Sequence, residues 1–411
     1  PLLPAHKVAA ALFDETAYQL GDDPAYRMLD VLGFGSTSAD QLQQAVRACG
    51  GEVFSVVQTI PAVLCRVPVD AIAALAARDD VQWIGKTPPA LSACNNTSRT
   101  ALGVNTAHTA PYSYRGTNIN VLVYDAGIAN FHQDFTNRTI YKESNGVDEH
   151  STHVAGTLLG DGRESSGTYR GMAPEARLIT YMYHFSSPVF YNNPGDLETN
   201  YTVAINTYGA DLANNSLGMN VVGNMYPTYC YGDYETSAIL LDQIALGRLG
   251  RPLFMVWAAG NERSGTPVYA NISPPQTAKN TLVVGGTSGT TTQEYSKTSY
   301  GPLDDGRLKP DLAAPGANVR SCQPYGGYQL MSGTSMASPA ACGCAALLLQ
   351  CWRALYGGSP SPAMYKAILV NTTIDIGSPG PGFDLGYGLL QIVPALDTVR
   401  AGNMLEASIG Q

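Results

Sequence analysis

Between residues 26 and 86 the apolar positions change period several times within short stretches. Tyr26–Phe34 alternates as a strand. Ser38–Cys49 places Leu42, Ala45, Val46 and Cys49 at i, i+3, i+4 and i+7, one face of a helix. Glu52–Ile60 and Ala62–Val67 read as strands, the second stopped by Pro68. Asp70–Ala77 reads as a short helix with Asp70 as its N-cap, and Val81–Lys86 as a last strand. The order β-α-β-β-α-β is the split ferredoxin-like motif. Thr87–Arg99 is rich in Pro, Ser, Asn and Thr and reads as a linker.

Beyond it the rhythm slows. Asn118–Tyr124, Ala176–Tyr183, Asp211–Asn215, Pro252–Ala258 and Thr281–Gly285 are apolar runs of strand length. Helical patterns lie between and after them, at Leu197–Tyr208, Tyr234–Leu249, Ser335–Tyr356 and Pro362–Val370. Strands alternating with helices predict an α/β fold, a parallel sheet covered on both faces. Ligand sites in such folds sit at the carboxyl ends of strands.

Composition narrows the class. Hydrophobic residues make up 45% and charged residues 14% of the 411, which excludes a disordered chain. The length predicts two domains, or one large domain with an appendage. A net charge of -9 with no Lys/Arg-rich run argues against nucleic acid as a partner. No apolar stretch reads as a membrane span, which takes roughly 20 residues. The chain begins at Pro1 without a charged-then-apolar leader, so a signal peptide is expected to be gone already. None of the 8 cysteines forms a C-x-x-C pair, which argues against a zinc ribbon. Cys342 and Cys344 read as small core residues, and the sequence assigns no disulfide.

Histidine is scarce: His6, His108, His132, His150, His153 and His184. A serine hydrolase needs one of them as general base. The best serine candidate is Ser335, in Gly333-Thr334-Ser335-Met336-Ala337-Ser338-Pro339, flanked by small residues at the start of a long helix. A helix N-terminus offers backbone N–H groups and partial positive charge to an oxyanion. The bland alternative is that Ser335 or Thr334 only caps the helix. With every histidine ahead of residue 335, the chain order Ser, acid, His is impossible, and His, Asp, Ser belongs to an all-β fold; Asp, His, Ser remains. His150 opens a small-residue helix, and Asp125 ends the apolar strand Val121-Leu122-Val123-Tyr124. The alternative for His150 and His153, a metal pair at i, i+3, lacks the spacing and the Glu of a zincin helix.

These segments together resemble the subtilisin-like serine proteases. Asp125-Ala-Gly-Ile with His132-Gln-Asp134-Phe135 is similar to their aspartate region, His150-Ser-Thr-His-Val-Ala-Gly to their histidine motif, and Gly333-Thr-Ser-Met-Ala-Ser-Pro to their serine motif. Lys309-Pro-Asp-Leu-Ala-Ala-Pro-Gly316, Gly301-Pro with Asp305-Gly-Arg, and Gly386-Tyr-Gly-Leu-Leu add to the resemblance, which covers roughly residues 100–400. It implies Ser335 as nucleophile, His150 as general acid/base, Asp125 as its orienting acid and His153 as a structural histidine. It implies Asn261 as oxyanion-hole donor. Ser216, Leu217 and Gly218 would form one wall of the primary specificity pocket, and Ala258, Ala259 and Gly260 the other. Their small side chains predict broad specificity for large apolar or aromatic residues. Glu262 reads equally as a contact for a positive side chain or as a surface acid.

Residues 24–88 resemble the family's propeptide. The implied organisation is a ferredoxin-like propeptide over 1–88, a linker with the maturation site over 89–104 and a subtilisin-like catalytic domain over 105–411. The propeptide would act as intramolecular inhibitor, with its tail of about residues 86–93 in the groove. The resemblance implies a secreted endopeptidase acting on polypeptides with no cofactor in the chemistry; a structural calcium is compatible with it but has no place on the sequence. A processing protease or macrocyclase using the same triad is one rival, and a peptide-binding pseudoprotease another. Two positions depart from the pattern. Ser151 stands where the family has Gly, beside the imidazole, which it would crowd or whose helix it would cap; Tyr124 stands where a small aliphatic residue is usual. The tyrosine-rich stretch Asn220–Tyr234 reads as a lid or as a loop pinned by aromatic packing.

Overall fold

In the computed structural model the chain divides into two compact units, Pro1–Ser92 and Ala93–Gln411. The structure describes residues 3–8, 25–57, 61–86, 94–143, 146–183, 194–219, 221, 228–264, 269–289 and 293–407. Residues 87–93 of the expected tail and linker, and 220 and 222–227 of the tyrosine-rich stretch, lie outside the described residues.

The first unit runs β1 (Tyr26–Gly33), α1 (Ala39–Ala48), β2 (Glu52–Val57), β3 (Ala62–Pro68), α2 (Ile72–Ala76) and β4 (Val81–Lys86). The strands pair antiparallel in the order β2-β3-β1-β4, the split ferredoxin-like arrangement. A capping box between Ser38 and Gln41 starts α1, whose Leu42, Ala45 and Val46 enter a core with Leu29, Val31, Cys65 and Val67. The expected cap at Asp70 is corrected: α2 begins only at Ile72 without a side-chain cap, because Asp70 is taken up in a 3-10 turn over Val69–Ala71.

The second unit begins with α3 (Cys94–Ala101) and α4 (Val104–Ala107). There follow β5 (Asn120–Asp125), β6 (Ile128–Ala129), β7 (Thr139–Lys142), β8 (Val147–Asp148), α5 (Glu149–Leu159), β9 (Arg177–Met182) and α6 (Pro194–Asn206). Then come β10 (Leu212–Asn215), α7 (Thr236–Ala245), β11 (Phe254–Ala258), β12 (Leu282–Thr287), β13 (Leu312–Pro315), β14 (Val319–Cys322) and β15 (Tyr328–Met331). The unit ends with α8 (Thr334–Tyr356), α9 (Pro362–Asn371) and α10 (Ile392–Ala401).

Seven strands form one parallel sheet in the order β13-β12-β11-β10-β5-β9-β7. Both of its faces are covered, so alternate residues of one strand enter different cores. Val121 and Val123 of β5 enter the core that residues of α5, α8, α9 and α10 share, while Leu122 and Tyr124 enter the core shared with α6 and α7. The chain leaves β5 toward β9 on one side and returns to β10 on the other, so a topological switch lies between β5 and β10. A crevice at the carboxyl ends of those two strands is where such sheets bind ligands.

The expectation that no stretch could span a bilayer is corrected for α8, which is long and apolar enough by length and composition. Its apolar character goes with burial: 89% of its most apolar stretch is inside the unit, as its central core helix. Cys342 and Cys344 lie fully buried on it, and among the described residues Cys49, Cys230, Cys322 and Cys351 are likewise free thiols.

Candidate active site

Asp125 is the last residue of β5 and is fully buried. The strand is an apolar run, so its end delivers a carboxylate to the switch-point crevice without exposing it. His150 stands in the first turn of α5, whose N-cap is Asp148 accepting the Ser151 N–H at 3.1 Å. The two meet: His150 Nδ1 lies 2.7 Å from Asp125 Oδ1. That oxygen also accepts the Ala126 N–H at 2.7 Å, which fixes the carboxylate. Burial works against the charged imidazole, yet the charge and hydrogen bond of Asp125, with the charge of Asp148, hold the His150 pKa above its ordinary value.

Ser335 stands in the first turn of α8, which packs against α5. The N-cap is Gly333, and no side chain caps the helix, so neither Ser335 nor Thr334 is spent on capping. Ser335 Oγ donates to the Ser216 carbonyl at 3.3 Å. Asn261 comes from the loop after β11, where its Oδ1 accepts the Thr334 N–H at 3.0 Å. That bond orients the amide, and Nδ2 sits 3.4 Å from where a Gly333 Cβ would be, beside the turn that carries Ser335. Thr334, fully buried, bonds with its hydroxyl to both the N–H and the carbonyl of Gly260.

The expected pocket walls come from neighbouring strands, since Asn215 of β10 pairs with Trp257 of β11. Ser216, Leu217 and Gly218 continue β10; Ala258 ends β11 and Ala259 and Gly260 follow it. Gly260 has φ +106°, which a side chain would strain. At Gly218 a Cβ would meet Gln276 Nε2 at 2.7 Å, and that amide donates to the Leu217 carbonyl at 2.7 Å. Sequence reasoning missed Gln276, which no motif marks. Burial raises the Glu262 carboxyl against the opposing effect of the Tyr231 hydroxyl, 3.5 Å from it. Tyr234 bonds Asp242 at 2.7 Å and lies under Lys279, so the end of the tyrosine-rich stretch is pinned, while Tyr229 within it is exposed.

Both departures from the motif pattern find places. Ser151 is fully buried and neither crowds the imidazole nor caps α5. Its hydroxyl donates to the Gly127 carbonyl and accepts the Gly127 N–H at 3.2 Å, tying the turn after Asp125 to the helix of His150. Tyr124 bonds Asp196 at 2.7 Å and packs edge-on against Tyr183 and Tyr201, filling the space between β5 and α6. His153 is buried with Nε2 2.9 Å from the Val319 carbonyl, and burial pushes its pKa down to about 4.

A calcium needs several oxygen ligands. Among the described residues, His132, Asp134 and Cys322 draw their side-chain atoms within 4.8 Å of one another. They do not fit calcium. His132 Nδ1 accepts the Asp134 N–H at 3.1 Å, and its Nε2 lies 2.9 Å from the Gly327 carbonyl. The Asp134 oxygens take the Tyr328 hydroxyl at 2.9 and 3.0 Å and the Cys322 thiol at 3.5 Å, so the group is closed by hydrogen bonds.

A hydroxyl, an imidazole paired with a buried carboxylate and a fixed amide donor are the parts of nucleophilic acyl transfer. The family model described as the subtilase family matches residues 116–388, which include all four groups. Subtilisin-like protease 1 of Arthroderma otae is 30% identical over 287 residues, 67% of this chain and 51% of that protein. The membrane-bound transcription factor site-1 protease of Homo sapiens is 28% identical over 310 residues, 70% of this chain and 26% of that protein. The chain thus spans about half the length, or less, of these curated relatives. Among solved structures, the CspB protease of Clostridium perfringens is similar in fold. Its TM-score is 0.63 at 17% identity, over 74% of this chain and 99% of that one.

Proposed function

The chain belongs to the subtilase family, and from that premise we propose that it is a serine endopeptidase whose triad is Asp125, His150 and Ser335. The observation that carries the reading is the 2.7 Å pair of His150 with the buried Asp125, inside the segment that also holds Ser335 and Asn261. In this reading His150 takes the Ser335 proton as Oγ attacks the peptide carbonyl. Asn261 Nδ2 and the Ser335 N–H hold the oxyanion, and His150 then protonates the leaving amine. Water deacylates the enzyme by the same route, and no cofactor takes part.

Ser216–Gly218 and Ala258–Gly260 are proposed as walls of a pocket for large apolar or aromatic side chains. The absence of bulk at Gly218 and Gly260 supports that. Residues 1–88 are proposed as an inhibitory propeptide and 89–104 as the segment cleaved on maturation. The antiparallel β2-β3-β1-β4 unit, of the kind the resemblance implied, supports the first part. A secreted location goes with the same resemblance. Ser151, the departure that favoured a binding protein without catalysis, turns its hydroxyl to Gly127 instead of the imidazole.

The test is incubation with a fluorophosphonate followed by intact mass, before and after a trace of active subtilisin removes the propeptide. Labelling after that step, absent in Ser335→Ala, is expected. A folded protein that stays unlabelled in every state overturns the enzyme reading.

A further inference from the structure

In an α-helix each N–H bonds the carbonyl four residues earlier. Pro339 lies in the second turn of α8 and has no N–H, and its ring crowds the carbonyl of residue 335. The carbonyl that loses its helical donor is therefore that of Ser335 itself. A buried carbonyl without a donor gives up its hydrogen bond to water and gains none in return. The structure supplies a substitute from another element: Ser216 Oγ donates to the Ser335 carbonyl at 2.8 Å. We propose that Ser216 is a positioning residue for the nucleophile, its hydroxyl standing in for the helix N–H that Pro339 removes. The proposal rests on Ser335 being the nucleophile.

The direction of the Ser216 hydroxyl is set by a buried relay. Ser338 Oγ donates to Asn214 Oδ1 at 2.8 Å, which leaves Asn214 Nδ2 to donate to Ser216 Oγ at 3.2 Å. With its oxygen already accepting, Ser216 has its proton free for the Ser335 carbonyl. Asn214 and Ser338 are fully buried and Ser216 is 6% exposed, so water does not compete. The bond is answered by the one from Ser335 Oγ to the Ser216 carbonyl. The extension of β10 and the first turn of α8 are thus held by two reciprocal bonds, each from a serine hydroxyl to the other serine's carbonyl. The oxyanion donors work only if fixed in advance, and anchoring the Ser335 carbonyl restrains the Cα from which the Ser335 N–H and Oγ both project. Ser216 therefore acts on the reaction through Ser335, and its hydroxyl is turned to α8.

The experiment compares the wild type with Ser216→Ala, Pro339→Ala and the double variant. Each is treated with trace subtilisin and reacted with a short-chain fluorophosphonate, which carries nothing for a side-chain pocket. Ser216→Ala is expected to label roughly tenfold more slowly, the effect of one hydrogen bond at the reacting residue. Ser216→Thr, which keeps the hydroxyl, is expected to recover most of the rate that Ser216→Ala loses. With Pro339→Ala in place the helix provides its own N–H, so adding Ser216→Ala slows labelling less than about twofold. If Ser216→Ala does not fold, Ser216→Cys, of similar shape but a weaker donor, goes through the same cycle. Wild-type labelling by the Ser216 variant, or an equal loss in both backgrounds, overturns the proposal. If the wild type itself is unlabelled, the protease reading fails. Urea midpoints of the four proteins then decide alone: a smaller Ser216 effect beside Pro339→Ala supports the contact, and additivity overturns it.

Discussion

A carboxylate two residues ahead of His150 sets part of the behaviour of the site. Asp148 caps α5, and its carboxylate, that of Asp125 and a ring nitrogen of His150 lie within 4.8 Å of one another. The groups facing the imidazole are therefore Asp125 from β5, Asp148 ahead of α5 and His153 one turn further on. His153 is neutral, its pKa pushed down to about 4 by burial, and adds no charge. The two carboxylates raise His150 above 6.5. A general base must be neutral, so activity is expected to fall as pH drops through that raised value. Asp148→Asn keeps the cap and removes the charge. It should move the acid limb of the labelling rate to lower pH by about half a unit, the effect of one charge at roughly 5 Å near water. Salt at about 1 M should close the gap; an unmoved limb would leave Asp125 as the sole source. The four proposed catalytic residues are legible in the sequence because each sits in a run of small residues that little else requires. Ser151 is not, because its partner Gly127 lies 24 residues away, and the role of Ser216 is not, because its partner lies 119 residues away.

Elements were legible where burial is one-sided or complete. β5, β9, β10, β11 and β12 are apolar runs, and each was expected within a few residues of its observed bounds. The missed strands carry no such signal. β7 is an edge strand with three of four residues exposed, and β13 is Leu-Ala-Ala-Pro, too short and small to show a period. α10 went unseen because Pro394 interrupts its pattern, although a proline so near a helix start costs no hydrogen bond. α3 fell in a stretch read as linker, and its place is explained by one side chain. Arg99, 4% exposed, donates to the carbonyls of Gly167, Thr168 and Arg170 and to Asn105. Its guanidinium thereby gathers the backbone oxygens of the loop that follows α5. Arg99→Ala should cost about 1–3 kcal/mol and speed amide hydrogen exchange in residues 160–171 ahead of the rest of the unit. Arg99→Lys should restore little, because a single ammonium lacks the planar fork. Exchange that rises evenly across the unit would show that α3 is not a local clamp.

At the scale of the catalytic unit, one buried carboxylate fastens the edge of the sheet to the chain's later segments. Asp311 binds Lys309 at 2.8 Å and Lys366 of α9 at 2.8 Å, and accepts the Val283 N–H of β12 at 2.7 Å. Its backbone pairs with Val283 on one side and receives the Tyr387 N–H at 2.9 Å on the other. Burial favours the neutral acid, but the two lysine charges outweigh it and hold the carboxyl below 3.8. The unfolded chain takes up a proton near that value while the folded one does not. The stabilisation is therefore fully present above it and is lost as pH falls through the lower, folded value. Asp311→Asn leaves two lysines without their counter-charge and should cost about 3–5 kcal/mol at mildly acidic pH, below the value of about 7 to which burial pulls Lys309. Urea midpoints in a Ser335→Ala background, where self-digestion is excluded, read this directly. The gap between the two proteins should be widest at about pH 5, where Lys309, pulled down to about 7 by burial, carries its charge, and narrow below pH ~3.8, because protonation does to the parent what the substitution has already done. A gap that stays constant down to pH 3 would mean that Asp311 holds the sheet edge by shape and its Val283 bond, with the lysines contributing nothing net.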